Sequence, residues 1–64
     1  MEYTNSQIRA LIDEYIHSIR DRQVLCMRLI DGLTFDEIGA KLFLSERQVK
    51  RIVYKLQEEL FRHL

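Results

Sequence analysis

Four charged residues that follow Ser45 are the side chains with the most evident chemistry in this sequence. They are Glu46, Arg47, Lys50 and Arg51. Residues three and four apart are neighbours on a helix surface, so a helix that begins after Ser45 would bring all four together. Arginine presents paired N–H donors, lysine a point charge and glutamate two acceptor oxygens. Such a face could recognise a polar or anionic surface by hydrogen bonding.

The charge of this segment differs from the charge of the whole chain. The 64 residues include ten basic and ten acidic side chains, which gives a formal net charge of zero. Within residues 41–55, however, five basic residues stand against one acidic residue. A basic run of this kind is often only a solvated helix face, and the alternative is a surface that binds an anionic partner. The helix boundaries around the run favour the second interpretation.

Two capping boxes predict helix starts on either side of a short turn. Thr34 is followed three residues later by Glu37, and Ser45 by Gln48. In such a box the hydroxyl accepts an unpaired N–H of the first helical turn, and the longer side chain reaches back to the cap. The two starts are eleven residues apart, which leaves room for about two helical turns and a turn of three or four residues. This spacing is typical of a helix-turn-helix.

The N-terminal half predicts two further helices. Thr4 and Gln7 form a third capping box, and apolar residues then recur at three- and four-residue spacing, so we predict a helix over about residues 5–17. A second helix is predicted over about residues 20–31, ended by Gly32. A corner near residues 18–20 is favoured between them, and one longer continuous helix is the alternative.

The predicted elements add up to an all-α fold. We expect a small three- to four-helix bundle in a single domain spanning residues 1–64, with the helix-turn-helix over about residues 34–62. The single cysteine cannot form an internal disulfide, and no apolar run is long enough for a membrane span or a signal peptide. A cytoplasmic location and no membrane partner are therefore expected.

Residues 20–56 resemble region four of bacterial sigma factors, the promoter-reading helix-turn-helix. The matching residues are Arg20, Val24, Leu25, Gly32, Leu33, Thr34, Glu37, Ile38, Leu42, Ser45, Arg47, Val49, Lys50, Arg51 and Ile52. A complete sigma factor would also carry the domain that melts the other promoter element, which 64 residues cannot hold. The resemblance therefore implies a stand-alone regulator of the kind carried by phages or mobile elements.

Two residues depart from the pattern of that family. Gly39 stands where family members usually have alanine, and Phe43 stands where they usually have glycine in the turn. A bulky residue in a left-handed turn costs roughly 1 kcal/mol or more. We therefore expect either a differently shaped turn or a Phe43 side chain held by packing. Gly39 either permits the close approach of another helix or merely weakens its own helix.

The resemblance implies a sequence-specific regulator of transcription that binds double-stranded DNA. The second helix of such a unit enters the major groove, where every base pair presents a distinct pattern of donors and acceptors. The residues expected to read bases are Glu46, Arg47, Lys50 and Arg51. Those expected to contact the DNA backbone are Thr34, Lys41, Ser45, Tyr54 and Lys55.

Two other kinds of partner are compatible with the same sequence. Region four of sigma factors also binds the flap of the RNA polymerase β subunit, so the resemblance allows a protein-interaction module that docks on polymerase without reading DNA. A homodimer fits either function, because a chain of this size buries only about 60% of its unfolded surface. Otherwise the same apolar residues close the monomer core. The dimer candidates are Ile8, Leu11, Ile12, Tyr15, Ile16, Phe61 and Leu64.

Catalysis and metal binding are not expected. Cys26, His17 and His63 are scattered without metal-ligand spacing, and the sequence has no glycine-rich phosphate loop or nucleophile motif. We expect no enzymatic activity, no cofactor, no bound metal and no small-molecule substrate.

Overall fold

The computed structural model describes residues 3–63 and folds them into four helices with no strand among them. The helices are α1 (Asn5–Tyr15), α2 (Ile19–Leu29), α3 (Phe35–Leu42) and α4 (Glu46–Phe61). The predicted all-α class is confirmed. None of these helices is long and apolar enough to cross a membrane.

Three of the four helices begin with a complete capping box. Thr4, Thr34 and Ser45 each accept a backbone N–H three residues ahead, at 3.1 to 3.2 Å. In return, the side chain at that third position accepts the N–H of the cap, at 2.8 to 3.0 Å. Ser18 caps α2 with a longer contact of 3.4 Å to the N–H of Asp21. Local sequence therefore sets where each helix begins.

The break between α1 and α2 is fixed by a side chain from α2. Ile16 has an extended backbone that ends α1 after Tyr15, two residues earlier than the predicted limit. The Arg22 guanidinium donates to the carbonyl of Asp13 at 2.8 Å and also to the carbonyl of Ile16. Carbonyls at the end of a helix lack intrahelical partners, so Arg22 satisfies the last turn of α1 from outside.

The core consists of two apolar clusters that share α2 and α4. The first joins these two helices to α1 through Ile12, Ile16, Leu25 and Leu60, all 3% exposed or less. The second joins them to α3 through Val24, Ile38, Val49 and Val53. Val24 and Leu25 are adjacent in sequence and enter different clusters. α2 and α4 therefore hold the helix-turn-helix and the N-terminal helix in one body.

Most of the apolar residues proposed for dimerisation pack within this chain. Ile12 and Ile16 are fully enclosed, and Ile8, Leu11 and Tyr15 pack half-buried against the same cluster. Tyr15 also stacks on His63, with ring centroids 3.9 Å apart. Phe61 keeps 42% of its surface exposed, and Leu64 lies outside the described residues. The α1 stripe is thus part of the monomer core.

Candidate nucleic-acid interface

The turn between α3 and α4 is built around Gly39. The N–H groups of Phe43 and Leu44 both donate to its carbonyl, the second at 2.9 Å. Gly39 is buried, and a Cβ placed on it would lie 2.5 Å from the carbonyl oxygen of Leu44. Of the two alternatives for this glycine, the structure supports a close approach, but the neighbour is the backbone of the turn and not another helix.

Phe43 occupies the left-handed position of this turn. Its φ is 58° and its ψ is 42°, which is the conformation usually taken by glycine after a helix. Its side chain is 94% exposed. Neither expectation for this residue was correct: the turn has the ordinary left-handed geometry, and no packing holds the ring.

The first turns of α4 carry a basic outer face. Arg47, Arg51, Tyr54 and Glu58 are all exposed and follow one another at four- and three-residue spacing, on the side opposite buried Val49 and Val53. The face is basic near Ser45 and becomes acidic at Glu58, whose carboxylate lies 3.9 Å from Arg62. Its positive charge is therefore concentrated at the N-terminal end of α4.

Two of the predicted base-reading residues pair with each other. The Lys50 ammonium lies 3.6 Å from the Glu46 carboxylate, and both side chains are about half exposed. Exposed pairs of this spacing contribute only about 0.3 to 0.5 kcal/mol. The pair can therefore open at little cost, and each partner is available to an external ligand.

Phe35 connects the start of α3 to the outer face of α4. Its ring meets the Tyr54 ring edge-on, with centroids 5.7 Å apart. The Arg28 guanidinium lies 4.4 Å from its centroid and the Lys50 ammonium 5.9 Å. Arg28 also donates to the carbonyl of Leu33 at 3.0 Å. These contacts restrain Lys50 and Tyr54 and place the charge of Arg28 beside them.

A small cleft on the other side of α4 brings Arg20, a second arginine of α2, to the site. Arg20, Gln48, Arg51 and Ile52 line this cleft of about 140 Å³. Arg20 also lies 3.4 Å from the carboxylate of Asp21. The cleft brings Arg20, which is paired with Asp21, together with Gln48 and Arg51 around one small opening.

Comparison with protein families gave a match for this chain. Residues 18–55 match the family described as Sigma-70, region 4. The match covers more than half of the chain and includes α2, α3 and most of α4. The chain belongs to the sigma-70 region 4 family. Searches of curated proteins and of solved structures gave no match.

Family membership accounts for the general character of the site. Sigma-70 region 4 is a helix-turn-helix module that binds DNA and interacts with RNA polymerase, and it is a regulatory domain and not an enzymatic one. In this region 4 domain, α3 and α4 are the two helices of the motif, and α2 is the helix that supports both.

The residues expected to contact the DNA backbone have different surroundings. Lys41, Tyr54 and Lys55 are exposed. The hydroxyls of Thr34 and Ser45 are engaged as helix caps, as described above. Thr34 also lies beside the carboxylate of Glu37, which accepts the Thr34 N–H. Hydrogen bonds from Thr34 lower the pKa of this carboxylate. The first turn of α3 carries two carboxylates, Asp36 and Glu37, whereas the first turn of α4 carries Glu46 alone, so Thr34 lies beside more negative charge than Ser45 does.

Two basic residues near the site could not be found by counting along α4. Both lie on α2: Arg20 lines a cleft with residues of α4, and Arg28 lies over the Phe35 ring of α3, because α2 packs against both helices. The resemblance included Arg20 as a pattern residue without giving it a role. Charge and capping signals along one segment do not reveal side chains that a neighbouring helix brings to the site.

Proposed function

We propose that this region 4 domain is a sequence-specific transcription regulator that binds double-stranded DNA. The N-terminal half of α4 enters the major groove. One observation carries the proposal: the first exposed turns of α4, directly after the helix-turn-helix turn, present Arg47, Arg51 and Tyr54 on one outward stripe. The major groove is wide enough for an α-helix presented in this way.

The side chains divide into base readers and backbone contacts. Arg47 and Arg51 can each donate two hydrogen bonds to the O6 and N7 atoms of guanine, and Glu46 can accept from the N4 amine of cytosine. Lys50, released from its pair with Glu46, supplies a further donor. Lys41, Ser45, Tyr54 and Lys55 hold the phosphates and set the register, with Thr34 at the edge of this set.

Selection from a random-sequence DNA pool at several salt concentrations tests the proposal. We expect an enriched sequence and an affinity that falls steeply with salt, because each neutralised phosphate releases counterions. The two cationic backbone contacts, Lys41 and Lys55, would by themselves give a slope of log K against log salt of about −2. A pool with no enriched sequence and an affinity independent of salt would exclude DNA as the partner.

Alanine substitutions separate the two kinds of contact. Arg47→Ala or Arg51→Ala should cost about 1 to 3 kcal/mol in binding and relax the preference at one base position. Lys41→Ala should weaken binding to all sequences alike and reduce the salt slope by about 1. Arg62→Ala is the matched control, since it removes an exposed charge at the far end of α4. If Lys41→Ala and Arg51→Ala gave the same binding profile, the assignment of roles would be wrong.

Docking on RNA polymerase is the second candidate function. It is favoured by Ile19, which is 75% exposed at the start of α2, and by the formal net charge of zero. Large exposed apolar side chains are common anchors in protein interfaces. Ile19→Ser should weaken binding to purified RNA polymerase and leave DNA selection unchanged. Polymerase binding by a protein that enriches no DNA sequence would favour this function over the first.

A further inference from the structure

Phe43 combines two features that disfavour it in the free domain. Within residues 3–63 it is the one residue other than glycine with a positive φ, at 58°. A Cβ in this region is crowded, so the left-handed conformation is unfavourable for a bulky residue. At 94% exposure the ring gains almost nothing from burial in return. Strain of this kind, without compensation inside the fold, points to a role in binding.

The position of Phe43 indicates which partner the ring would meet. It lies two residues before Ser45, the cap of the helix that enters the major groove in the proposed function, and two residues after Lys41. The other large exposed apolar side chains among the described residues are Ile19 at the start of α2, Phe61 at the end of α4, and Tyr54 on the outer face of α4. Protein interfaces usually surround an aromatic anchor with further apolar contacts. An exposed ring in the turn between Lys41 and the basic first turns of α4 fits DNA better.

We propose that Phe43 contacts DNA at the edge of the region 4 site, with its ring against the 5-methyl group of a thymine. This inference rests on the proposed function. The thymine methyl projects into the major groove, and phenylalanine is one of the side chains able to recognise it by apolar contact. Phe43 thereby adds a preference for thymine beside the bases read by Arg47 and Arg51.

Phe43→Gly tests this role without endangering the fold, because glycine accepts a φ of 58° more readily than phenylalanine. The DNA is the sequence enriched by the wild-type protein, with each thymine replaced in turn by deoxyuridine, which removes only the methyl group. At one position we expect the wild type to lose about threefold to fivefold in affinity, the effect of one apolar carbon. Phe43→Gly should bind the unmodified DNA more weakly by at least that factor and lose nothing more at that position.

Two further variants complete the experiment. Phe43→Leu keeps an apolar side chain and should retain part of the methyl effect. Phe61→Ala removes a partly exposed ring at the other end of α4 and should leave the deoxyuridine profile unchanged.

Three results would overturn the inference while leaving the proposed function intact. They are equal affinity of wild type and Phe43→Gly, a uniform loss with an unchanged deoxyuridine profile, and a loss confined to binding of RNA polymerase. If the wild type enriched no DNA sequence, the proposed function and this inference would both fail.

Discussion

Phe43 and Gly32 share the left-handed region of the backbone, with φ values of 58° and 71°. The comparison is informative because nothing lies within 4 Å of a Cβ added to Gly32. A substitution at Gly32 therefore measures the conformational cost alone, whereas a substitution at Phe43 measures the same cost together with whatever the ring contributes. Comparing the two substitutions therefore separates the conformational cost of a Cβ at positive φ from the contribution of the Phe43 ring.

We expect Gly32→Ala to lower the free energy of unfolding by about 1 kcal/mol and Phe43→Gly to raise it by a similar amount. The reason is the same in both cases, the crowding of a Cβ at positive φ. Urea denaturation followed by circular dichroism measures both values. A Phe43→Gly variant less stable than the wild type would mean that the ring stabilises the free domain. The strain at Phe43 would then no longer point to a role in binding.

The sequence identified Phe43 as unusual, but it did not predict how the residue is accommodated. The turn is imposed by hydrogen bonds from Phe43 and Leu44 to the Gly39 carbonyl and by the cap at Ser45. These are local features, and the capping signals predicted one of them, the cap at Ser45. Whether the ring finds a neighbour depends on which helices pass nearby, and that depends on the packing of the whole chain.

Glu37 makes the stability of α3 dependent on pH. Hydrogen bonds from the N–H and the hydroxyl of Thr34 lower the pKa of this carboxyl below its ordinary value of 4.5. A carboxyl whose pKa is lowered by folding stabilises the folded state when it is charged. That contribution is complete above pH 4.5 and is lost as the pH falls below it.

Glu37→Gln should flatten this dependence, because glutamine keeps the hydrogen bonds of the capping box without the titration. The boxes of α1 and α4 already use Gln7 and Gln48 in this position. Urea unfolding between pH 3 and pH 7 should show a shallower loss of stability for the variant below pH 4.5 than for the wild type. Parallel curves for the two proteins would show that Glu37 does not contribute to the acid sensitivity.

At the scale of elements, helix starts were predictable and contacts between helices were not. The capping boxes at Thr4, Thr34 and Ser45 are present where the sequence placed them. By contrast, the end of α1 is set by Arg22 of α2, and the Arg28 contact with Phe35 joins α2 to α3. A helix start depends on about four consecutive residues, whereas these contacts require the packed arrangement.

Gly39→Ala has two opposing effects on the stability of the helix-turn-helix, a gain in helix propensity and a steric clash. We expect the steric clash to dominate. Alanine is a better helix former than glycine by about 1 kcal/mol. The new Cβ, however, would lie 2.5 Å from the carbonyl oxygen of Leu44, a backbone atom that cannot rotate away. Overpacking costs typically about 1 to 3 kcal/mol, so after the gain in helix propensity we expect a net loss of up to about 2 kcal/mol in chemical denaturation.

Ala40→Gly is the matched control for Gly39→Ala, because Ala40 is the exposed neighbour in the same helix. It should cost about 1 kcal/mol through helix propensity alone. The double variant Gly39→Ala with Phe43→Gly should lose less than the separate effects predict, since a glycine at position 43 lets the turn move away from the new methyl group. A stabilising Gly39→Ala would show that the turn relaxes freely and that Gly39 is not needed for its geometry.

At the scale of the whole molecule, α1 and α3 do not depend on each other directly. The first core cluster joins α1 to α2 and α4, and the second joins α3 to the same two helices. A substitution that destabilises α1 therefore affects the helix-turn-helix of α3 and α4 through the packing of α2 and α4. Because small domains have only a few kcal/mol of stability, the loss of one large side chain from either cluster can unfold the entire domain.

Ile12→Ala distinguishes a core role for the α1 stripe from a role in pairing two copies of the chain. Ile12 is 0% exposed and belongs to the first cluster, so we expect a loss of about 2 to 5 kcal/mol and a marked decrease in helicity. Light scattering should give the monomer mass for the wild type, because little of the α1 stripe remains exposed for a second copy. The control, Phe61→Ser, changes a partly exposed side chain and should leave this mass unchanged. A dimeric wild type, with an Ile12→Ala variant that stays helical and becomes monomeric, would instead show that α1 forms an interface.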